Sequence, residues 1–437
     1  MLLIFTDKIT LRSKYIFNFF FTDMYGIPYR LTQSKEEFVS FNGPKINYSN
    51  QAVENELQVK PFGLLHETGI REQNIPVGLW NDEVILFKNN SREEVPFDIF
   101  SATFYLITRY EEYLPHITDM HNRFEAESSI AFQHQFLHKP IVNYWLISFK
   151  NILQKNFPQL QFKQHHYSYL STIDIDNAFA FKQKGVMRTI GGYGRAVVNF
   201  FWEDFRERTK VLLGKMKDPY DTYEEQLKIQ KKYQIEVIYF FLLGDYGVND
   251  KNLPSNNKKF QALIKHLNDY ADVGIHPSYG SNDNYGQVKK EINRLSTIVH
   301  RDILKSRQHF LKLKFPSTYK TLVENGITDD YTMGYATTLG FRASLCTPYF
   351  WYDLDTETET TLKIHPFPIM EATLRYYMKE KPEQAIQLII PIINEVKKVE
   401  GELITLWHNE SLSNWREWKG WQNLYEEVVS IAHRKLI

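Results

Sequence analysis

Cysteine is almost absent: Cys346 is the one thiol in 437 residues. An intramolecular disulfide is excluded, and so is a zinc site built from several thiolates. Any metal would have to be held by imidazole and carboxylate. Net charge is absent too, with 52 Lys and Arg against 52 Asp and Glu. Such a chain has no global field to draw it onto DNA, RNA or an anionic membrane. A nucleic-acid partner is not expected, although a local basic patch stays open. Long apolar runs are missing as well. The opening Met-Leu-Leu-Ile-Phe soon meets Asp7, and Phe17–Phe21 is bracketed by Lys14 and Asp23. Nothing approaches the roughly 18 uninterrupted apolar residues of a membrane span. No basic segment precedes a signal-like core, so the expected address is the cytoplasm. Gly and Pro are too sparse, at 20 and 17, for a collagenous or low-complexity chain.

What is present is an ordinary globular balance enriched in aromatics, with 31 Phe, 27 Tyr and 8 Trp. Such rings bury large areas and also wall sugar sites. The length suits two or three domains. Residues 1–165 read as one α/β unit. Its expected strands are Leu2–Phe5, Lys45–Tyr48 and Val84–Phe87, and its expected helices Lys14–Phe21, Asp98–Tyr113 and Lys139–Leu153. In the second helix Phe100, Phe104 and Ile107 share a face, between the breakers Pro96 and Pro115.

From about residue 166 strand and helix signals alternate. Strand Tyr167–Ile175 is followed by helix Thr222–Tyr233 and strand Glu236–Leu243, then by Lys258–Asp272 and Gly274–His276. Helix Gln287–Lys305 leads to strand Gln308–Leu311, and helix Pro316–Glu324 to Ile327–Asp329. Gly340–Ser344, Lys363–Pro366 and Leu403–Trp407 read as further strands. This rhythm predicts parallel strands with helical crossovers. An irregular (β/α) barrel over 166–437 is the expected α/β architecture, although the sequence does not prove closure. The boundary is expected near 155–168. The connection is short and not Gly/Ser-rich, so tight packing of the two parts is expected.

In barrels, chemistry sits at the C-terminal ends of strands. The polar residues closing the expected strands are Asp174, Asp176, Asp245, His276, His309, Asp329 or Asp330, Arg342, His365 and His408. Acids with several His suit a divalent metal that keeps a position open for water. In Ser171-Thr172-Ile173-Asp174-Ile175-Asp176, residues two apart point the same way on a strand. Two carboxylates that close repel unless a cation sits beside them. One bound to metal and one held back as base is a natural use; a helix cap and a solvated acid is the plainer one. His309 likewise reads either as a ligand or as a hydrogen-bonded core histidine. A glycosidase carboxylate pair without metal is a further reading, which the several His make less attractive.

Thr172-Ile173-Asp174-Ile175-Asp176, Gly274-Ile275-His276-Pro277-Ser278 and Leu406-Trp407-His408 resemble, in order and separation, the motifs of polysaccharide deacetylases. The likeness covers about residues 165–435. It implies a distorted (β/α) barrel that removes an acyl group from a carbohydrate with a divalent metal, zinc being the expected ion. Asp174 would be the base, Asp176 and His276 metal ligands, and His408 the general acid. Ile175 separates acids that are adjacent in the family, Gly280 stands where the family has its second His, and the Arg-X-Pro-Tyr motif is missing. His309 lies in a region from which it can replace that ligand. Either the metal site is rebuilt with His309, or it is lost and the barrel is a carbohydrate-binding or assembly module. The first 165 residues resemble an uncharacterised domain that precedes such barrels in some bacterial proteins.

The remaining candidates contact substrate or neighbours. Arg307, one strand pair before His309, is expected to lie deeper and hold Asp174 ionised. Arg342 could bind a carboxylate or pair with Asp330. Trp407 could wall a sugar groove with Trp415, Trp418 and Trp421; the spacing of the last three also suits packing on the core. Gly191-Gly192-Tyr193-Gly194 has the wrong spacing for a dinucleotide loop.

Overall fold

The computed structural model describes residues 1–53, 56–89, 93–282 and 284–434. A first parallel sheet is built from β1 (Leu2–Thr6), β2 (Tyr29–Thr32), β3 (Lys45–Tyr48) and β4 (Leu57–Gln58), in the order β2-β1-β3-β4. β1 is apolar along nearly its whole length because both its faces are covered. Leu2 and Ile4 enter the main core, while Leu3 and Phe5 pack on Phe38. The helix expected at Lys14–Phe21 starts at Leu11, capped by Thr10 and Ser13, and widens into a π-helical turn over Asn18–Met24. A small antiparallel ribbon, β5 (Gly78–Trp80) and β6 (Glu83–Ile85), turns at Asn81 and Asp82, both with positive φ.

The second sheet carries the site. Its strands are β7 (Ser168–Ile175), β8 (Glu236–Leu242), β9 (Asp272–His276), β10 (Lys305–Ser306), β11 (Asp329–Asp330), β12 (Tyr349–Asp353), β13 (Thr358–Ile364), β14 (Ile369–Met370) and β15 (Glu402–His408). They lie in the order β12-β13-β11-β10-β9-β8-β7-β15-β14, and only β12 runs antiparallel to its neighbour. Helices Tyr223–Tyr233, Lys258–Asn268, Tyr285–Val299, Ser317–Glu324 and Pro382–Lys398 make crossovers.

Along β7, Tyr169, Ile173 and Ile175 pack into the outer core, and Leu170, Thr172 and Asp174 face inward. The sheet curls around that inner face. Phe240 of β8 and Tyr331, just after β11, stand three strands apart, about 14 Å in a flat sheet. Their ring centroids are 5.3 Å apart.

Among the described residues the curled sheet does not close: β14 and β12 remain its two edges. Two expected strands are turns. His309–Leu311 is a 3₁₀ turn with Phe310 and Leu311 at positive φ, so β10 ends at Ser306. At Gly340–Ser344 the backbone is left-handed at Ser344, and Gly340 has φ 129° with the Leu137 carbonyl where a Cβ would sit. A strand cannot continue through such conformations.

The residues before and after the expected boundary share one apolar core. Polar contacts join them as well. Arg12 pairs with Glu357, Tyr15 Oη donates to the Phe350 carbonyl (2.7 Å), and Asn143 Nδ2 donates to Thr347 Oγ1 (2.8 Å).

Candidate active site

Three strands of the parallel run β9-β8-β7-β15 end at one place: β7 at Ile175, its neighbour β15 at His408, and β9, across β8, at His276. Register sets His408 opposite Asp174, and His276 opposite Leu242 at the end of β8. Asp174, Asp176, His276, His309 and His408 all line one cavity of about 220 Å³. Asp176 lies at its centre. His276 Nε2 is 3.2 Å from Asp176 Oδ1, His309 Nε2 is 3.4 Å from Oδ2, and His408 Nε2 is 3.9 Å from Oδ2. Asp174 Oδ2 is 3.6 Å from His276 Nε2.

Behind each imidazole stands an oxygen that can only accept. His276 Nδ1 donates to the Arg307 carbonyl (2.5 Å), His309 Nδ1 to Asp250 (2.8 Å), and His408 Nδ1 to Glu371 (2.8 Å). With Nδ1 protonated, each neutral ring presents a lone pair at Nε2, and all three Nε2 atoms face Asp176. Asp250 is itself held by the backbone N–H groups of Tyr279 (2.8 Å) and Gly280 (3.2 Å). The Tyr279-Gly280 loop thus supplies donors to the acid that aims His309.

His309 reaches the cavity from a turn rather than from a strand. Its N–H bonds the Pro277 carbonyl (3.1 Å) and Arg307 N–H bonds the Ile275 carbonyl (3.1 Å), so the chain still tracks β9 after β10 ends. Arg307 is fully buried. It donates to Asp174 Oδ1 (3.1 Å), Thr172 Oγ1 (2.7 Å) and the Tyr331 carbonyl (2.9 Å). It sits behind Asp174 and away from the cavity wall, so it acts on the acid and not on a ligand.

Charge is concentrated here. Burial would raise the Asp176 carboxyl, but His309 and His276 hold it well below its ordinary value. Burial would lower His309, but Asp176 and Asp250 raise it to about 9. His408 is raised to about 10 against its burial, by Glu371 and then by Asp176 and Asp174. Burial and the Asp176 charge push the neighbouring Glu410 up to about 7.

Whether these groups suit a metal can be asked of the orphaned atoms. Asp176 Oδ1 and His276 Nε2 are buried with no hydrogen-bond partner. Buried polar atoms left so are costly. One oxygen and two nitrogens from Asp176, His276 and His309 lie within 4.8 Å of one another. The donor set, hard oxygen plus imidazole with each ring braced from behind, fits a divalent cation such as zinc.

Other expected site residues lie elsewhere. Arg342 is buried against Glu112 (2.9 and 2.5 Å) and the Gly334 carbonyl, so it does not pair with Asp330. Asp330 is buried and accepts from Ser306 Oγ and from Thr332. Trp407 is wholly buried, its Nε1 on Thr405 and its ring 5.1 Å from Tyr425; as an outward-facing β15 residue it cannot wall the cavity. Trp418 does line the cavity, and Trp421 is in the core. Asp245 is a surface partner of Lys290 and Arg294, and His365 stacks on Tyr331 beside Asp329. Sequence reasoning missed Asp250, Glu371 and Glu410. Asp250 stands in a stretch that reads only as polar loop. Glu371 follows a strand of two residues, where the apolar pair Ile369-Met370 was the available signal.

Residues 2–158 match the model of a family of unknown function, DUF7033. No curated protein matches the chain. Among solved structures, a polysaccharide deacetylase from Bacillus cereus is 13% identical over 61% of this chain and 88% of its own, with a TM-score of 0.30. A family 4 carbohydrate esterase from Streptomyces lividans, in complex with acetate, is 8% identical over 62% and 90%, with a TM-score of 0.29. A CE4 family pseudoenzyme from Bacillus anthracis is 11% identical over 60% and 62%, with a TM-score of 0.27. All three are distant likenesses.

Proposed function

We propose that the chain is a metal-dependent hydrolase that removes an acyl group, acetyl in the simplest case, from a carbohydrate. One observation carries the reading: three imidazoles with engaged Nδ1 atoms aim Nε2 at a single half-buried carboxylate, with a second, fully buried carboxylate beside it. Asp176, His276 and His309 would hold the ion. A divalent ion there supplies Lewis acidity towards an acyl carbonyl and towards water.

The chain's own groups divide the proton work. Asp174, which accepts from Arg307, takes the proton of the attacking water. His408 carries a proton at Nε2, kept there by Glu371, and delivers it to the departing nitrogen or oxygen. The cavity also offers Tyr376 and Tyr377 as faces for a sugar ring, with buried Trp418 packed against Tyr376 and Arg123 held against Tyr377 Oη (3.0 Å).

Metal analysis of protein purified without chelator tests the reading together with acetate release from N-acetylated oligosaccharides. The expected result is one divalent ion per chain, lost with the activity in Asp176→Ala. Gly280, in place of the family's second His, motivates the competing reading of a binding or assembly module. Absence of an ion under every loading condition would decide for that module.

A further inference from the structure

Between β7 and β8 the chain runs out into a helical hairpin, Gly185–Val198 and Trp202–Leu212. Its amphipathicity is inverted. Val186, Met187, Ile190, Val197 and Val198 fall within about a third of the first helix's circumference. They point to solvent, with Met187 84% and Val198 75% exposed. The opposite face does the packing. The ring of Tyr193 lies 4.8 Å from that of Phe205, and its Oη bonds Thr209 (3.0 Å). Gly192 leaves room for the Arg208 guanidinium, which a Cβ would meet at 2.5 Å. At the tip Phe200, Phe201 and Trp202 are all exposed, and Leu212 and Leu213 extend the apolar surface at the far end.

Cations flank this surface. Residues 182–217 hold nine Lys and Arg against three Asp and Glu, a net charge of +6 in a chain that is neutral overall. Arg195, Arg206, Lys210, Lys215 and Lys217 are exposed. An exposed apolar patch of this size marks an interaction site. Its chemistry selects among occupants. A second copy would bring +6 against +6. A nucleic acid would meet the cations and leave the apolar stripe in water. A bilayer with anionic headgroups meets both: the stripe and aromatic tip enter the acyl boundary while Arg and Lys reach phosphate. No described helix is long and apolar enough to cross a membrane, so the contact is interfacial.

We propose that this hairpin docks the protein onto the surface of an anionic lipid bilayer. It is fixed to the body and not tethered to it. Arg188 donates to the carbonyls of Asn252 (2.9 Å) and Lys251 (2.8 Å), Trp415 Nε1 to Glu207 (3.1 Å), and Arg416 to Asp204 (2.8 Å). Trp418, three residues after Trp415, lines the candidate-site cavity, so the hairpin is anchored on a segment that also forms part of that cavity's wall.

Flotation of the full chain with vesicles of phosphatidylcholine, with and without phosphatidylglycerol, tests docking without reference to activity. Binding is expected to the anionic vesicles and to weaken at high salt. The pair Phe200→Ser and Phe201→Ser should lower the partition coefficient about tenfold or more. The pair Arg195→Glu and Arg206→Glu should remove the preference for phosphatidylglycerol. Both pairs change exposed side chains, and unchanged thermal melts identify folded variants. No flotation of the wild type, or equal flotation of the variants, overturns the proposal. So does a dimer that Phe200→Ser dissolves, or oligonucleotide binding that only the Arg variants lose.

Discussion

His309 and His408 sit among carboxylates, and their protonation couples stability to metal uptake. In the metal-free protein both are raised above the ordinary 6.5, to about 9 and about 10. A group whose folded pKa is raised contributes stability that is complete below its unfolded value and is lost as pH rises through the folded one. Chelator-treated protein is therefore expected to melt at falling temperature from about pH 6.5 to about pH 10, and His309→Gln to flatten part of that slope. An ion must displace the proton on His309 Nε2, so apparent metal affinity should climb with pH up to about 9 and level off above it. His309→Ala should weaken metal binding by more than about tenfold, as loss of a ligand does. Full metal content in that variant, with only a lower melting temperature, would remove His309 from the ligand set. Asp174, Asp176, His276 and His408 were legible because each closes an apolar run. Asp250 and Glu371 were not, because no periodic pattern leads into them.

Away from the site, buried ion pairs between turns join distant elements of the fold. Arg109, itself at positive φ, donates to Glu112 (2.8 Å) and Glu111 (2.7 Å), and Arg342 grips Glu112 from the far side. All four side chains are buried. This network ties the Gly340–Ser344 turn to the 3₁₀ turn Tyr110–Tyr113. Breaking a buried ion pair by removing one partner leaves an uncompensated charge. Arg342→Met should cost about 3 kcal/mol, the low end of the usual range because Arg109 remains on Glu112. Urea unfolding measures it, and metal affinity should be nearly unchanged. A cost close to zero would mean that Arg109 alone satisfies Glu112. The alternation that made Gly340–Ser344 look like a strand is real: Phe341, Ala343 and Leu345 all enter the core. They do so from a turn, since backbone conformation at Gly340 and Ser344 is set by neighbours and not by the apolar pattern.

At the scale of the whole molecule, the first parallel sheet and the curled sheet lean on one core, with Arg12, Tyr15 and Asn143 bonded across. Independent domains joined by a linker would unfold separately. Here scanning calorimetry of the full chain is expected to give one cooperative transition, its calorimetric and van't Hoff enthalpies agreeing. Two resolved transitions, the first leaving residues 166–437 folded, would show that the shared core contributes little.

The sequence by itself determined the alternation of strand and helix after residue 166, the starts of β7, β8 and β15 to within a residue, and the acids and imidazoles that end strands. These are local properties: an apolar run must be covered, and a strand must give way to polar residues where it meets solvent. Tertiary structure alone decided that the curled sheet stays open among the described residues, that His309 arrives on a turn, and that Asp250 braces it from 59 residues away. It also sent Arg342 to Glu112, 230 residues distant, and turned Trp407 into the core. Each of these depends on which buried polar group finds a partner across the fold, and no period in the chain encodes a partner that far away.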